Sequence, residues 1–571
     1  MASHMLSYIQ RPHQNGYIFE TIPRRLESIA SRFPDKEAYV FLSPGKPRVS
    51  ITGAELLEKS RAIAKGLVRR GIKRGDVVAI SQPNNIEGLL CIFGVIASGA
   101  KLLNLVFRRP DGSDVKALLE KVGNCSALII HAGHNNAILN ACLQFIDAIS
   151  DNGKVVSKSF PTIHTLVVSS NCNIDGQKFD TLTELMNEQG SGSSLPSLDP
   201  DDTALLIETS GSTGEPKLVV HSHRTVLMCG VHLQDSMGYT SHDVVYSERK
   251  MQWIGGFPFQ YLLNGVTTVM TDYCFESVKE QCMFAYSAMQ QEKCNIACLL
   301  PITLFGLVDI ALEDKSILIL DNIHTGGAPV AKTCLAVIGI LTKKVTVCYG
   351  SSEAGFLTSI TVSNISEYVD YSSGFTHQGV EVKVIGTNGN IVERGEDGEI
   401  YVRTPAMYRG YFNDFENTKK HLNESGWFKT DDVGHITPDG QLVTHGRVSE
   451  LIICGVLKVS PSNLENLVRT HPDVLDVVVI PIRDPIKFQV PCACIIFKPN
   501  AKTETDDVRK FCESSQSDIA VNQYSKFVLQ YIPEYYVRFV DFPRMYTGKI
   551  NKFELAQEAA KRLNIDESKF V

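Results

Sequence analysis

The sequence predicts an α/β protein in which a large unit with parallel sheet is followed by a small β unit and then a compact α+β domain. Three observations predict it. Short apolar runs alternate with helical patterns in the first part of the chain, short strands punctuated by Gly, Asn and Asp follow Gly374, and a strand pair, helix, strand and helix follow Arg447. In order, Val77–Ile80 reads as a strand, Glu87–Ala97 as a helix, and Ala127–Ile130 and Thr165–Val168 as strands, the alternation of a parallel sheet with crossover helices. The stretch from Gly190 to Asp202, GSGSSLPSLDPDD, reads as a turn-rich linker, and Thr203–Ile207 as a strand running into a glycine-rich loop. Val380–Ile385, Gly398–Arg403 and Gln441–His445 are the short strands. In the last part Val474–Ile482 and Pro491–Lys498 pair, Thr505–Gln530 is an amphipathic helix, Tyr536–Asp541 a strand and Lys552–Leu563 the final helix.

Composition bounds the function. The chain has 571 residues, 43% hydrophobic and 21% charged, with 42 Gly and 24 Pro, which excludes fibres and disorder and is long enough for more than one domain. Its 56 basic and 63 acidic residues leave a net charge of -7 with no basic block to track a nucleic acid, so no nucleic-acid partner is expected. Fifteen cysteines, scattered singly and without a CxxC pair, read as reduced buried thiols of a reducing compartment. Met1–Met5 (MASHM) reads as a cloning remnant, and LSYIQRPHQNGY after it lacks the apolar core of a secretory signal. Gly88–Ala100 is too short to span a bilayer, and the terminal Ser568-Lys569-Phe570-Val571 is not an SKL tripeptide. A cytoplasmic location is expected, with a peroxisomal one left open.

The densest motif is Thr209-Ser210-Gly211-Ser212-Thr213-Gly214-Glu215-Pro216-Lys217. Glycines let backbone N–H groups approach an anion, hydroxyls donate to phosphate oxygens, and Lys217 adds a point charge. It is not a Walker loop, because Gly214 stands three residues before Lys217 and Leu218 follows. A flexible surface loop would have a similar composition. Two other clusters are not assigned to metals: His221-Ser222-His223 has no nearby acidic partner, and Cys492-Ala493-Cys494 lacks further ligands.

The motifs together resemble the adenylate-forming superfamily of acyl-CoA synthetases, coumarate CoA ligases, luciferases and adenylation domains. Gly71-Ile72-Lys73-Arg74-Gly75-Asp76, the hydroxyl-rich loop, Gly326-Gly327-Ala328-Pro329, Tyr349-Gly350-Ser351-Ser352-Glu353, Gly426-Trp427-Phe428-Lys429-Thr430-Asp431-Asp432, Gly446-Arg447 and Pro543–Ile550 stand in that family's order over about 550 residues. The resemblance implies two parallel-sheet α/β subdomains plus a small β-barrel-like unit in an N-terminal domain, residues 6–446. A small, mobile α+β C-terminal domain, residues 447–571, would follow.

The resemblance also implies ATP-dependent activation of a fatty or aromatic acid to an acyl-adenylate, then transfer to coenzyme A. Thr209, Ser210, Gly211, Ser212, Thr213, Gly214 and Lys217 would hold the β- and γ-phosphates, and Glu353 would position Mg²⁺. Tyr349 would face adenine, with Gly326, Gly327, Ala328, Gly350 and Ser352 around it. Asp432 would take the ribose hydroxyls, Arg447 would assist, and Lys549 would reach the α-phosphate as the essential catalytic residue. Trp253, Gly255, Gly326 and Gly327 would line the acid pocket, although Trp253 could equally be core packing. Ser449 takes the hinge position, and Gly455 and Val456 the passage for CoA.

Five residues depart from the pattern: Leu218 and Asp431 replace glycines, Ser352 a threonine, Ser449 the Asp or Lys common at the hinge, and Val456 the second glycine of the passage. The β-branched Val456 makes CoA transfer less secure than adenylation. A non-CoA acceptor (amine, hydroxyl or oxygen) and a catalytically inactive nucleotide-binding relative are the competing readings.

Overall fold

The computed structural model describes residues 5–565 apart from 15, 108–110, 134–135, 151–153, 170–178, 188–193, 210–216, 274, 276, 314–317, 329, 331, 448–450, 455–456, 485–487, 516–531 and 545–549. Among the described residues, one six-stranded sheet runs Lys217–Ser222, Thr203–Thr209, Lys101–Asn104, Val77–Ser81, Cys125–Ile130, Thr165–Val168. All its pairs are parallel except the first. The second sheet has a parallel centre, in the order Val345–Ser351, Asn322–Gly326, Ile296–Leu299, Val244–Ser247, Thr267–Met270, Glu37–Phe41. The predicted alternation of strand and crossover is therefore present twice.

Helix Ile86–Ala97 buries ten of its twelve residues and starts at Asn85, whose side chain accepts from the Gly88 N–H. A helix apolar on all sides needs cover on all sides. It shares one core with helices Ile22–Arg32, Gly53–Arg69 and His223–Met237 and with residues of both sheets, such as Val78 and Val245.

The small β unit is continuous with the second sheet. Ser372–Thr376 pairs with Gly355–Val362 on one side and Leu442–Arg447 on the other, and Phe428–Ile436, Gly398–Arg403, Glu381–Ile385 and Tyr8–Gln10 follow. With Val49–Thr52 antiparallel to Glu37–Phe41 at the far edge, fourteen strands form one hydrogen-bonded path among the described residues. The last part has its own five-stranded sheet, in which Val474–Asp484 and Phe488–Phe497 pair antiparallel and Tyr535–Phe539 adds in parallel. Helix Thr505–Ser515 realises the described part of the predicted Thr505–Gln530 helix, and Lys552–Arg562 is the last helix. The two parts touch where Tyr371 Oη donates to the Ser462 carbonyl at 2.9 Å and Ser460 Oγ to the His445 carbonyl at 3.0 Å. Among the described residues no helix is long and apolar enough to cross a membrane, and the described cysteines are free and buried.

Candidate active site

Strand Thr203–Thr209 runs two residues beyond the expected end, and Thr209 pairs directly with Lys217 across the hairpin. Ser210, Gly211, Ser212, Thr213 and Gly214 lie outside the described residues. Lys217 is buried, with its Nζ 5.0 Å from the Tyr411 ring centroid. Tyr411 Oη donates to Glu353 Oε1 at 2.9 Å, and the Tyr408 N–H to the Glu353 carbonyl at 2.7 Å. Burial and the neighbouring Glu353 push the Tyr411 phenol far above its ordinary pKa, so it stays protonated and donates. Cation, ring and carboxylate thus form one chain built from three segments. Leu218, in place of the expected glycine, is fully buried in the sheet's core, so the substitution serves packing.

Ser352, between the end of strand Val345–Ser351 and Glu353, is held through its carbonyl. His221 Nε2 lies 2.7 Å from the Ser352 carbonyl and its Nδ1 3.1 Å from Thr225 Oγ1, while His223 Nδ1 accepts the Ile22 N–H at 3.3 Å. Both rings prop backbone.

The second cluster forms where Val345–Ser351 meets the hairpin of Phe428–Ile436 and Leu442–Arg447. Asp432 and Arg447 are cross-strand partners. Tyr349 Oη donates to Asp432 Oδ2 at 2.5 Å, and Arg447 Nε lies 3.7 Å from Asp432 Oδ1. Burial, then the charge of Asp432, raises the Tyr349 phenol well above its usual value, so the proton stays on tyrosine. Asp431 takes a φ of +61°, which explains why glycine is the expected residue there. Its carboxylate accepts from His421 Nε2 at 3.1 Å, and that contact holds its pKa below the ordinary value.

The third group contains the expected acid-pocket residues. Trp253 is half-buried and leads into the short turn Ile254–Gly256. A side chain built at Gly255 would meet nothing within 4 Å, so this glycine borders open space. Gly326 ends its strand hard against the Cys348 carbonyl, where a β-carbon would overlap it, and Gly327 and Ala328 beyond it are exposed.

Sequence reasoning missed Arg249. It lies under this segment, donating from Nη2 to the Gly326 carbonyl at 2.9 Å and the Leu299 carbonyl at 3.2 Å. The signal was present: Glu248-Arg249-Lys250 places three charges directly after the buried strand Val244–Ser247, at the carboxyl end where α/β sheets carry their sites. Tyr411 was missed too, since no motif contains it. Ser449, Gly455, Val456 and Lys549 lie outside the described residues, although Arg544 and Ile550, which flank Lys549, form an antiparallel bridge.

Four buried imidazoles make the fold acid-labile. Burial lowers His221 and His223 to about 4 and His232 and His324 to about 3. Each ring is neutral in both states above the ordinary value of 6.5, and below it the unfolded chain binds the proton first. Stability therefore falls with falling pH below about 6.5, through about 4 for His221 and His223 and about 3 for His232 and His324. Urea midpoints at pH 7.5, 6 and 5 should decline steeply; a flat series contradicts this.

A family model described as AMP-binding enzyme matches residues 26–412, and one described as AMP-binding enzyme C-terminal domain matches 463–549. The chain belongs to the AMP-binding enzyme family. Within it, the mitochondrial medium-chain acyl-CoA ligase ACSF2 of Danio rerio is 26% identical over 98% of this chain and 91% of its own. Among solved structures, the anthranilate CoA ligase AuaEII with anthranoyl-AMP superposes with a TM-score of 0.78 at 19% identity, over 96% of this chain and 98% of that one. The amide bond synthetase McbA of Marinactinospora thermotolerans gives a TM-score of 0.74 at 21% identity, over 94% and 99%. These two likenesses concern the fold.

Proposed function

We propose that this AMP-binding enzyme activates a carboxylic acid with ATP and transfers the acyl group to coenzyme A. A carboxylate oxygen bonds to the α-phosphorus as the bond to the pyrophosphate oxygen breaks. The CoA thiolate then bonds to the acyl carbon, and AMP leaves with the electron pair of the broken C–O bond. The protein's task in the first step is positioning and charge stabilisation.

The observation that carries this reading is the Tyr349–Asp432–Arg447 cluster. Asp432 presents a carboxylate oriented on one oxygen by a phenol and flanked on the other by a guanidinium, a receptor suited to a ribose diol. Tyr349 brings the adenine side, and Arg447 reaches the ribose and phosphate. Lys217 and the loop before it hold the terminal phosphates. Glu353, with Oε1 oriented by Tyr411, offers the hard oxygen that Mg²⁺ takes, so the residue fits the ion. When bound, Mg²⁺ neutralises phosphate charge. Lys549 approaches the α-phosphate from the domain beginning at residue 447, which turns about Ser449. Gly455 and Val456 border the thiol's path.

The relative's name suggests a medium-chain acid as the substrate class to test first, taken between Trp253, Gly255 and the Gly326–Gly327 segment. A pyrophosphate-release assay over short, medium, long and aromatic acids, with and without CoA, tests the reading. It should show acid-dependent release and CoA-dependent AMP and thioester formation. Release without any CoA-dependent product would leave adenylation and remove the thioester step.

Two variants probe particular residues. Tyr411→Phe should lower kcat/KM for MgATP about tenfold, the loss of one hydrogen bond to a charged group, with the melting temperature little changed. Steady-state kinetics at varied Mg²⁺ would check it. Val456→Gly should maintain or raise the thioester-forming rate if CoA is the acceptor; a fall in thioester formation at unchanged adenylation would speak against that passage.

A further inference from the structure

Asp397, His435 and His445 form a second polar cluster, outside the site above. His435 Nδ1 and His445 Nε2 lie 2.9 and 3.1 Å from the same oxygen, Asp397 Oδ1, and the two nitrogens are 3.1 Å from each other. Hydrogen bonding does not satisfy all three edges. If both rings carry a proton here, both can donate to the carboxylate but the two N–H groups repel; if only one does, two lone pairs face each other. A cation at the centre attracts all three atoms.

The spacing suits one. Bonds of about 2.0–2.2 Å in a tetrahedral zinc site place ligand atoms about 3.3–3.6 Å apart, so each atom needs to move only a few tenths of an ångström. The donor set points the same way, because imidazole nitrogen with one carboxylate favours zinc-class ions over Mg²⁺ or Ca²⁺. The side chains of His435, His445 and Asp397 are 23%, 14% and 19% exposed, leaving an entry path and a solvent position.

The backbone builds this convergence. Asp397 immediately precedes strand Gly398–Arg403, whose Gly398 pairs with Gly434, the neighbour of His435. His445 is the residue passed over where the register shifts from Gly434↔Thr444 to Val433↔Gly446. Such bulges re-aim side chains and mark functional places in sheets.

We propose that Asp397, His435 and His445 bind one zinc-class divalent ion, with solvent in the fourth position. The ion ties three segments of the β unit together. It also anchors the seam to the last domain, because the His445 carbonyl accepts from Ser460 Oγ at 3.0 Å and Ser462 Oγ at 3.3 Å.

The test uses the full chain, stripped with a chelator and dialysed. Calorimetric titration with Zn²⁺ should show one saturable site, Co²⁺ should give the intense visible bands of a four-coordinate ion, and Zn²⁺ should raise the melting temperature. His435→Gln and Asp397→Asn, each checked for folding by circular dichroism, should weaken Zn²⁺ about tenfold or more and lose the thermal response. Absence of saturable binding to the wild type overturns the proposal. So does unchanged affinity in whichever variants fold, which would place the ion elsewhere.

Discussion

Asp432→Ala should lower kcat/KM for ATP by about 10²–10³, from the loss of charge-assisted hydrogen bonds to the nucleotide and of the partner that orients two neighbours. The substitution removes the carboxylate that accepts from Tyr349 Oη and faces Arg447 Nε. Tyr349→Phe removes only the phenolic bond and should cost about tenfold. The ordering matters more than either value. If Asp432 receives the ribose, the alanine variant is far worse than the phenylalanine variant, and the defect is carried by ATP rather than by the acid. Equal and small effects in steady-state kinetics with varied ATP would reduce the cluster to a structural tie between strands.

Lys549→Ala should cause the larger loss, about 10³-fold or more in acyl-adenylate formation, because a cation at a developing phosphoryl charge acts in the transition state more than in the ground state. Binding of ATP should weaken much less. Lys549→Arg should recover little, since a planar guanidinium does not replace a compact ammonium at one oxygen. Single-turnover formation of acyl-AMP separates this step from CoA transfer. A variant that forms acyl-AMP normally but fails to make thioester would move Lys549 to the second half-reaction.

Much of this was legible in the sequence because it is local. The strand Thr165–Val168 and the Gly398–Arg403 strand have the expected bounds, and helix Lys552–Arg562 differs from its expectation by one residue. Period and turn residues set such elements, and neighbours far along the chain change them little. Asp432 and Arg447 were legible for a similar reason: each lies in a short motif, and the hairpin that joins them spans few residues.

What was not legible depends on distant partners. Tyr411 gains its role from Glu353, 58 residues away, and Arg249 from Gly326, 77 residues away. Nothing adjacent to Tyr411 encodes that meeting, and the charges beside Arg249 mark the end of a strand without naming its partner. The metal-type triad was hidden for the same reason, with Asp397 lying 38 and 48 residues from its histidines and a bulge deciding where His445 falls. The merging of the small β unit into a fourteen-stranded sheet likewise rests on Ser372–Thr376 pairing on both edges, a matter of tertiary register. Conversely, Leu218 and Asp431 looked like defects in sequence and are explained by structure, one filling a core and the other occupying a left-handed backbone position with its side chain bonded to His421.

The most direct measurement is chemical capture of the intermediate. The full chain, ATP, Mg²⁺ and a medium-chain acid would be mixed without CoA, and the products taken by mass spectrometry and by hydroxylamine trapping. The wild type should yield acyl-AMP and the corresponding hydroxamate, and Lys549→Ala almost none. Wild-type protein that binds ATP yet yields neither product with any acid class would contradict the proposed acid activation.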